Sequence, residues 1–302
     1  MEQEHEQKIV VRCINIGMEE MKGLDITMRE AVDKDISNII VFLKENITEC
    51  IYMYIDIKKY GVTNPAMKVW IDEKPLTTVV MLYYESLQIY TIGEKIDIEW
   101  LKKILQNKEI TTIKGRHDII CQIMQGEQPN YRLEDGEVYQ IDYYREFEIS
   151  NDIEHATPAD AKEIAELICS EKKFAHNYDI KILARQLKDR MENSLGRNII
   201  IRKHGQIVAH IATYAEYEDI SVTSGLVVHP DLRKEGYGFM VESYLVNELL
   251  KEGKKVYTFI LEEKRSALMK SMGATLCGKY GKLTKCSELG CVREASDGRG
   301  RC

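Results

Sequence analysis

The sequence predicts a mixed α/β fold whose arrangement is repeated in the two halves of the chain. Apolar runs typical of strands alternate with helical patterns, and both halves have a similar order of elements. A third observation is the segment HPDLRKEGYGFM, residues 229–240, which places a proline, an arginine and two glycines between a strand and a helix. Such a segment is either a glycine-rich turn or a loop that holds a ligand at the start of a helix.

The bulk composition indicates a folded protein of about two domains. The chain has 302 residues, of which 44% are hydrophobic and 30% are charged, so it can bury sizeable cores. Its net charge of -7 argues against a general nucleic-acid-binding protein, whose domain is usually strongly basic. The sequence has no uncharged apolar stretch of roughly 18 residues and no signal-peptide pattern at its start. We therefore expect a cytoplasmic protein with no membrane partner.

The cysteines predict buried free thiols rather than a metal site. Several of them lie inside apolar runs, which is typical of unpaired cysteines in a reducing compartment. The last three are spaced C-x4-C-x10-C, which is not a usual zinc spacing, so we expect no metal. The eight cysteines are Cys13, Cys50, Cys121, Cys169, Cys277, Cys286, Cys291 and Cys302.

The C-terminal half has the predicted order β-α-α-β-β-β-α-β-α-β. Strands joined by helical connections imply a mixed sheet covered by helices. Helices are expected after Pro158, over Ile180–Met191, after the segment 229–240, and over Glu263–Met272. Strands are expected in NIIIRKHGQIVAHIATYAEY, which turns at His204-Gly205, and in DISVTSGLVVHP, KKVYTFIL and ATLCGKYGKL.

The N-terminal half gives a similar order, which we interpret as an internal structural repeat. Its predicted strands are MKVWID, PLTTVVMLYY, SLQIYTI, EITTIKG and EVYQIDYY, with a turn at Glu73-Lys74 between the first two. Its predicted helices cover about residues 28–48, Ile96–Gln106 and Arg116–Met124. The domains are expected at 1–150 and 151–285, followed by a flexible tail at 286–302.

The loop in the segment 229–240 has the chemistry to hold a pyrophosphate. A helix N-terminus presents unpaired N–H groups and a partial positive charge. Gly236 and Gly238 would let a ligand approach that backbone closely, and Arg233 could add direct charge to a phosphate. The loop matches neither the P-loop pattern nor the dinucleotide fingerprint, and a solvated turn is the alternative.

The run LVVHPDLRKEGYG resembles the acetyl-CoA-binding motif of the GNAT acetyltransferase superfamily, R/Q-x-x-G-x-G/A after a strand that typically ends V-x-P. The resemblance covers about residues 151–285, and the later segment SMGA also lies where the family would place it. It implies a mixed, mostly antiparallel sheet flanked by helices. It also implies acetyl-CoA as the co-substrate.

The N-terminal half lacks this motif at the corresponding position. Gly93 follows the strand SLQIYTI, but the acidic residues Glu94, Asp97 and Glu99 occupy the region and would repel a pyrophosphate. The half therefore looks like a degenerate GNAT-like domain without a cofactor site, and the chain resembles a tandem of two such domains. Lys114 and Arg116, in TIKGRHD, are candidates to face an anionic acceptor, with a solvated turn as the alternative.

The resemblance also implies roles for individual residues. The main chain of Leu226, Val227 and Val228 would pair with the pantetheine arm, and an N–H group near Val228 would polarise the thioester carbonyl. The acceptor amine would then attack the acetyl group directly. The pyrophosphate would be held by the N–H groups of Arg233, Lys234, Glu235, Gly236, Tyr237 and Gly238.

The catalytic groups depart from the family pattern. Met269 stands where many members carry a tyrosine that protonates the departing thiolate, and methionine cannot donate that proton. Glu216 and Glu218, which follow a predicted strand, are candidates for the general base. Their alternative role is that of exposed charge at the end of a strand.

The sequence as a whole predicts an N-acetyltransferase that transfers an acetyl group from acetyl-CoA to an amine of a small-molecule acceptor. The alternative is a non-catalytic acyl-CoA-binding or regulatory module, which the absent tyrosine favours. We expect a monomer or homodimer, with no nucleic acid among its partners.

Overall fold

The computed structural model describes residues 28–72, 75–106, 110–125, 131–147, 152–171 and 179–286. Within these ranges, twelve strands form one mixed sheet, and eight α-helices accompany it. The predicted turn at Glu73-Lys74 lies outside the described residues, as does the predicted tail beyond Cys286.

Both halves follow the order β-α-α-β-β-β-α-β-α-β, which confirms the predicted fold class and repeat. The N-terminal elements are β1 (Met28–Glu30), α1 (Ile36–Glu45), α2 (Ile47–Tyr60), β2 (Met67–Asp72), β3 (Thr78–Tyr83), β4 (Ser86–Thr91), α3 (Ile98–Leu105), β5 (Thr112–Arg116), α4 (His117–Gln125) and β6 (Tyr131–Ile141). The C-terminal elements are β7 (Ile153–His155), α5 (Ala161–Ser170), α6 (Ile180–Glu192), β8 (Asn198–Lys203), β9 (Gln206–Tyr217), β10 (Ile220–Val228), α7 (Tyr237–Lys251), β11 (Lys255–Ile260), α8 (Glu263–Ser271) and β12 (Thr275–Lys285).

The prediction was wrong at the start of the N-terminal half. Residues 28–48 were expected to be helical, but they begin with β1, and the sequence prediction missed α2 entirely. Apolar residues surround α2 instead of forming one stripe, because the helix is covered on several sides. Its first turn is also irregular at Cys50, where the backbone leaves the helical conformation.

The two halves exchange their last strands. The strand order is β1-β2-β3-β4-β5-β12-β6-β11-β10-β9-β8-β7, so the C-terminal β12 lies between β5 and β6 of the N-terminal half. Conversely, β6 lies between β12 and β11. Tyr280 of β12 stands opposite Arg116 on one side and Gly136 on the other. Neither half can therefore complete its sheet without a strand from the other.

The strand exchange requires a close approach at Gly136. A Cβ atom at this position would lie 2.1 Å from the ring of Tyr280, so any larger residue would displace that ring. Helix α2 also joins the halves, because its buried Ile51 and Ile55 belong to one hydrophobic cluster with Val222 of β10. The space between the halves is thus bounded by elements that both halves hold in place.

Two of the cysteine predictions were wrong. Cys121 and Cys286 are disulfide-bonded, whereas Cys50 is a buried free thiol as expected and Cys277 is a half-buried one. Among the described residues, no helix is long and apolar enough to cross a membrane. In the same part of the chain, no group of three or more His, Cys, Asp or Glu side chains could hold a metal ion.

Candidate active site

A cleft opens where two parallel strands separate. Strands β10 and β11 pair from Ile220 and Lys255 as far as Thr223 and Thr258, but β10 continues to Val228 without its neighbour. The cleft has a volume of about 860 Å³ and is lined by residues of both halves. It therefore begins at the gap in the sheet and extends towards the N-terminal half.

A β-bulge shapes the wall of this gap. Three steps along β10, from Ser224 to Val227, match only two along β9, and Gly225 adopts a φ of +71°. A Cβ atom at Gly225 would lie 3.2 Å from the hydroxyl of Tyr214, so this hydroxyl stands directly beside the bulge. Tyr214 also lines the cleft.

His210 supports the bulge from within the protein. The fully buried ring lies 3.1 Å from the carbonyl oxygen of Gly225 through Nδ1 and 2.9 Å from the side chain of Asn198 through Nε2. Burial lowers the pKa of His210 to about 4, so the ring is neutral near pH 7. A neutral ring donates Nδ1–H to the carbonyl oxygen and thereby fixes the bulge, which requires the amide nitrogen of Asn198, in place of its oxygen, to donate to Nε2.

The loop after β10 presents an open helix N-terminus. Gly236 has a φ of +88°, caps helix α7 and would have no neighbour within 4 Å of an added Cβ atom. Lys234 also has a positive φ, of +76°. Gly238 is closely packed, because its Cβ atom would lie 3.3 Å from a methyl group of Val228. The first glycine thus leaves space for a ligand, and the second lets the helix approach the strand.

The predicted cofactor residues occupy two positions around the cleft. Leu226, Val227, Val228 and Arg233 line it directly. Lys234, Glu235 and Gly236 are exposed in the loop, while Tyr237 and Gly238 are half-buried at the start of α7. The structure brings all nine residues to the same end of β10, at the mouth of the gap.

Arg233 already has a partner in this structure. Its guanidinium group pairs with the carboxylate of Glu171, which follows helix α5 and also lines the cleft. The pair spans the mouth of the cleft and neutralises the charge that a phosphate would meet. A phosphate that binds Arg233 therefore has to displace this carboxylate.

The structure places the predicted base candidates elsewhere. Glu216 and Glu218 line a separate cavity of about 530 Å³, at the opposite end of β10. The carboxylate of Glu216 lies 2.8 Å from Arg197 and 3.6 Å from Lys254, which neutralise it. Neither side chain lines the cleft, because the hairpin between β9 and β10 carries both away from the gap.

Helix α2 carries a different carboxylate one turn beyond the residues that line the N-terminal side of the cleft. Asp56 lies one helical turn after Tyr52, which lines the cleft from α2. Burial raises the pKa of Asp56 to about 7, although Arg190, Lys59 and Lys114 favour its charged form. Among the described residues, the Asp56 carboxylate has no hydrogen-bond donor. A carboxylate in this state can accept a proton near neutral pH.

The N-terminal half closes the position that corresponds to the loop before α7. Arg116 donates one hydrogen bond to the carbonyl of Thr91 at 2.9 Å and another to the carbonyl of Gly93 at 2.8 Å. Its remaining donors pair with Asp118. The end of β4 is thus bound to its own domain.

Residues 161–273 match the model of the acetyltransferase (GNAT) family. This segment is a GNAT domain. It contains the bulge, the gap between β10 and β11, and the glycine loop. A comparison with curated proteins found no relative.

Solved structures agree with a tandem of GNAT folds. A Drosophila protein is 11% identical with a TM-score of 0.62, covering 86% of this chain and 98% of its own. A GCN5-related N-acetyltransferase from Sphaerobacter thermophilus is 15% identical with a TM-score of 0.56, covering 86% and 95%. A tandem GNAT protein from the clavulanic acid biosynthesis pathway is 11% identical with a TM-score of 0.52, covering 86% and 98%. At these identities the likeness is one of fold.

Met269 of the GNAT domain belongs to the hydrophobic core. Its side chain is fully buried, and its sulfur lies 4.0 Å from the guanidinium of Arg145. Arg145 in turn lies 2.6 Å from Glu242, which also pairs with Arg265. Although burial opposes ionisation, the two arginines hold the pKa of Glu242 below its usual value. Met269 therefore has a structural role. A hydroxyl group that protonates a thiolate in the cleft has to come from another element.

Sequence reasoning missed several residues of this site. The isolated Gly225 inside a strand pattern is a recognised sign of a bulge and could have been found. Tyr214 carries no such sign, because strand alternation alone cannot tell which tyrosine faces a ligand. Asp56 lies on the helix that the sequence did not predict, so its position depends on tertiary packing alone.

Proposed function

We propose that the protein is an N-acetyltransferase that transfers the acetyl group of acetyl-CoA to the amine of a small acceptor. The observation that carries the proposal is the gap between β10 and β11, which opens beside the glycine loop into a cleft of about 860 Å³. The unpaired end of β10 offers main-chain groups to an extended ligand, and the loop offers N–H groups to a diphosphate. The cytoplasmic location remains a prediction. The same holds for the oligomeric state, which we expect to be a monomer or a homodimer.

The loop residues fit the pyrophosphate of acetyl-CoA. Gly236 leaves its surroundings open, and the N-terminus of α7 adds partial positive charge from fifteen aligned residues. In our proposal, the N–H groups from Arg233 to Gly238 hold the pyrophosphate, and Arg233 moves from Glu171 to a phosphate oxygen. The main chain of Leu226, Val227 and Val228 pairs with the pantetheine arm.

Tyr214 is our proposed proton donor to the leaving sulfur. During transfer, the amine nitrogen bonds to the acetyl carbon, the carbon–sulfur bond breaks, and the thiolate needs a proton. The Tyr214 hydroxyl stands beside the bulge at Gly225, where the acyl end of an extended ligand paired with β10 would lie. This hydroxyl would supply the proton that Met269 cannot donate to the thiolate.

Asp56 is our proposed acceptor of the amine proton, in place of Glu216 and Glu218. An amine must be neutral to attack. A base with a pKa near 7 is largely deprotonated at neutral pH and is still basic enough to accept the amine proton. The raised pKa of about 7 meets this requirement. Glu216, by contrast, is neutralised by Arg197 and Lys254.

The alternative function is a non-catalytic acyl-CoA-binding or regulatory module. The burial of Met269, which removes the usual tyrosine position from the cleft, favours it. Both functions require acetyl-CoA binding, so binding alone cannot separate them. Release of free thiol from acetyl-CoA with a panel of amines separates them, because only the enzyme releases CoA in proportion to the acetylated amine.

The Gly236→Asp variant should lose acetyl-CoA binding. A carboxylate at the open helix N-terminus would repel the pyrophosphate, and we expect the Kd from calorimetry to rise roughly 100-fold, or about 3 kcal/mol. Gly205→Asp is the matched control, because Gly205 also has a positive φ, of +81°, and no neighbour within 4 Å of a Cβ atom. Equal affinities in both variants and the native protein would refute the loop assignment.

The Tyr214→Phe variant should bind acetyl-CoA normally and transfer acetyl slowly. The substitution removes only the hydroxyl and keeps the ring that stacks with Arg190 at 5.7 Å. We expect kcat to fall on the order of 100-fold, as for loss of a general acid. Tyr217→Phe on the same strand should have a kcat close to that of the native protein. An undiminished kcat in Tyr214→Phe would exclude this role.

The Asp56→Asn variant should change the pH profile of acetyl transfer. In the native protein the base must be deprotonated, so the rate should rise as the pH increases through about 7. In the variant we expect kcat to fall about 100-fold and this rise to disappear. The Glu218→Gln variant should keep the rise, because Glu218 lines the other cavity. A rise lost in Glu218→Gln and kept in Asp56→Asn would reverse the assignment.

A further inference from the structure

Two lysines stand directly opposite each other on the floor of the cleft. Lys114 of β5 is the cross-strand partner of Lys282 of β12, and both side chains line the cleft. Like charges in this arrangement destabilise a sheet unless something compensates them. The strand exchange creates this pair, because it brings β12 beside β5.

Only one of the two lysines has an ion-pair partner among the described residues. The ammonium group of Lys282 lies 3.2 Å from the carboxylate of Glu134. Lys114 has no hydrogen-bond acceptor or ion-pair partner for its ammonium group among the described residues, and this group lies 5.7 Å from the ring centroid of Tyr52. Burial and the charge of Lys282 lower the pKa of Lys114 to about 8, although the nearby carboxylate of Asp56 opposes this shift, so Lys114 remains mainly a cation at neutral pH.

Lys114 lies close to the gap between β10 and β11. The ring of Tyr52, beside which its ammonium group lies, is 5.0 Å from the ring of Phe259. Phe259 directly follows Thr258, the last residue of β11 that pairs with β10. The ring of Tyr52 therefore lies between Lys114 and the edge of the gap. A small molecule can reach across one such ring.

The cleft also offers a neutral donor next to this cation. Gln88 of β4 is the cross-strand partner of Lys114 on its other side and lines the same cleft. An amide N–H group and an ammonium group side by side can bind the two oxygens of one carboxylate. The two arginines that line the cleft are already paired, with Arg233 held by Glu171 and Arg265 by Glu242.

We propose that the acceptor is a small amine that also carries a carboxylate, which Lys114 binds with Gln88 while the amine points to the gap between β10 and β11. A single positive charge without an ion-pair partner matches a carboxylate better than a phosphate dianion, for which proteins commonly use arginine and several main-chain N–H groups. The assignment rests on the proposed acetyl transfer and specifies the substrate class for it.

The test compares β-alanine, propylamine and 2-aminoethyl phosphate as acceptors for the native protein and the Lys114→Met variant. We expect the native protein to acetylate β-alanine with a kcat/KM at least tenfold above those of the other two. In Lys114→Met, the KM for β-alanine should rise at least tenfold, while propylamine is used equally well or better. Lys68→Met, which removes an exposed lysine from β2, should match the native protein.

Two further measurements separate the possible failures. Lys114→Met should bind acetyl-CoA with native affinity in calorimetry, and its Tm should not fall, because it removes a half-buried charge that repels Lys282. A preference of the native protein for propylamine or the phosphate, or an unchanged preference in Lys114→Met, would overturn the acceptor proposal alone. Absence of acetyl-CoA binding by the native protein would instead overturn the proposed function.

Discussion

The exchange of the last strands between the two halves is the constraint on which the rest of the structure depends. Because β12 pairs with both β5 and β6, the halves share one hydrogen-bonded sheet and cannot move apart without breaking its ladder. The same exchange places Tyr280 and Lys282 on the floor of the cleft. A cleft built in this way has walls from both halves.

Within this frame, the two halves have diverged in one local feature. In the C-terminal half, β10 and β11 separate beside a loop whose Gly236 leaves open space. In the N-terminal half, Arg116 binds the carbonyl groups of Thr91 and Gly93. One half therefore presents free main-chain groups to a ligand, and the other uses its arginine to satisfy its own backbone. The N-terminal half then contributes side chains instead, including Tyr52 and Lys114.

Much of the fold could be predicted because local patterns agreed with the tertiary structure. The strand and helix that flank the loop at Gly236, and the repeated element order, have regular periodicity and clear turn signals. The exchange of β6 and β12 could not be predicted, because pairing partners distant in sequence leave no local trace. For the same reason, sequence adjacency suggested Glu216 and Glu218 as base candidates, whereas the position of Asp56 next to the cleft depends on the packing of α2.

The central claim is that one half of the chain holds acetyl-CoA while the other completes the acceptor site. A calorimetric titration of the intact chain with acetyl-CoA tests this most directly, because it counts the sites. We expect one acetyl-CoA per chain, bound at the gap between β10 and β11. Two molecules per chain would contradict the closed state of the N-terminal half, and no binding at all would contradict a cofactor site in either half.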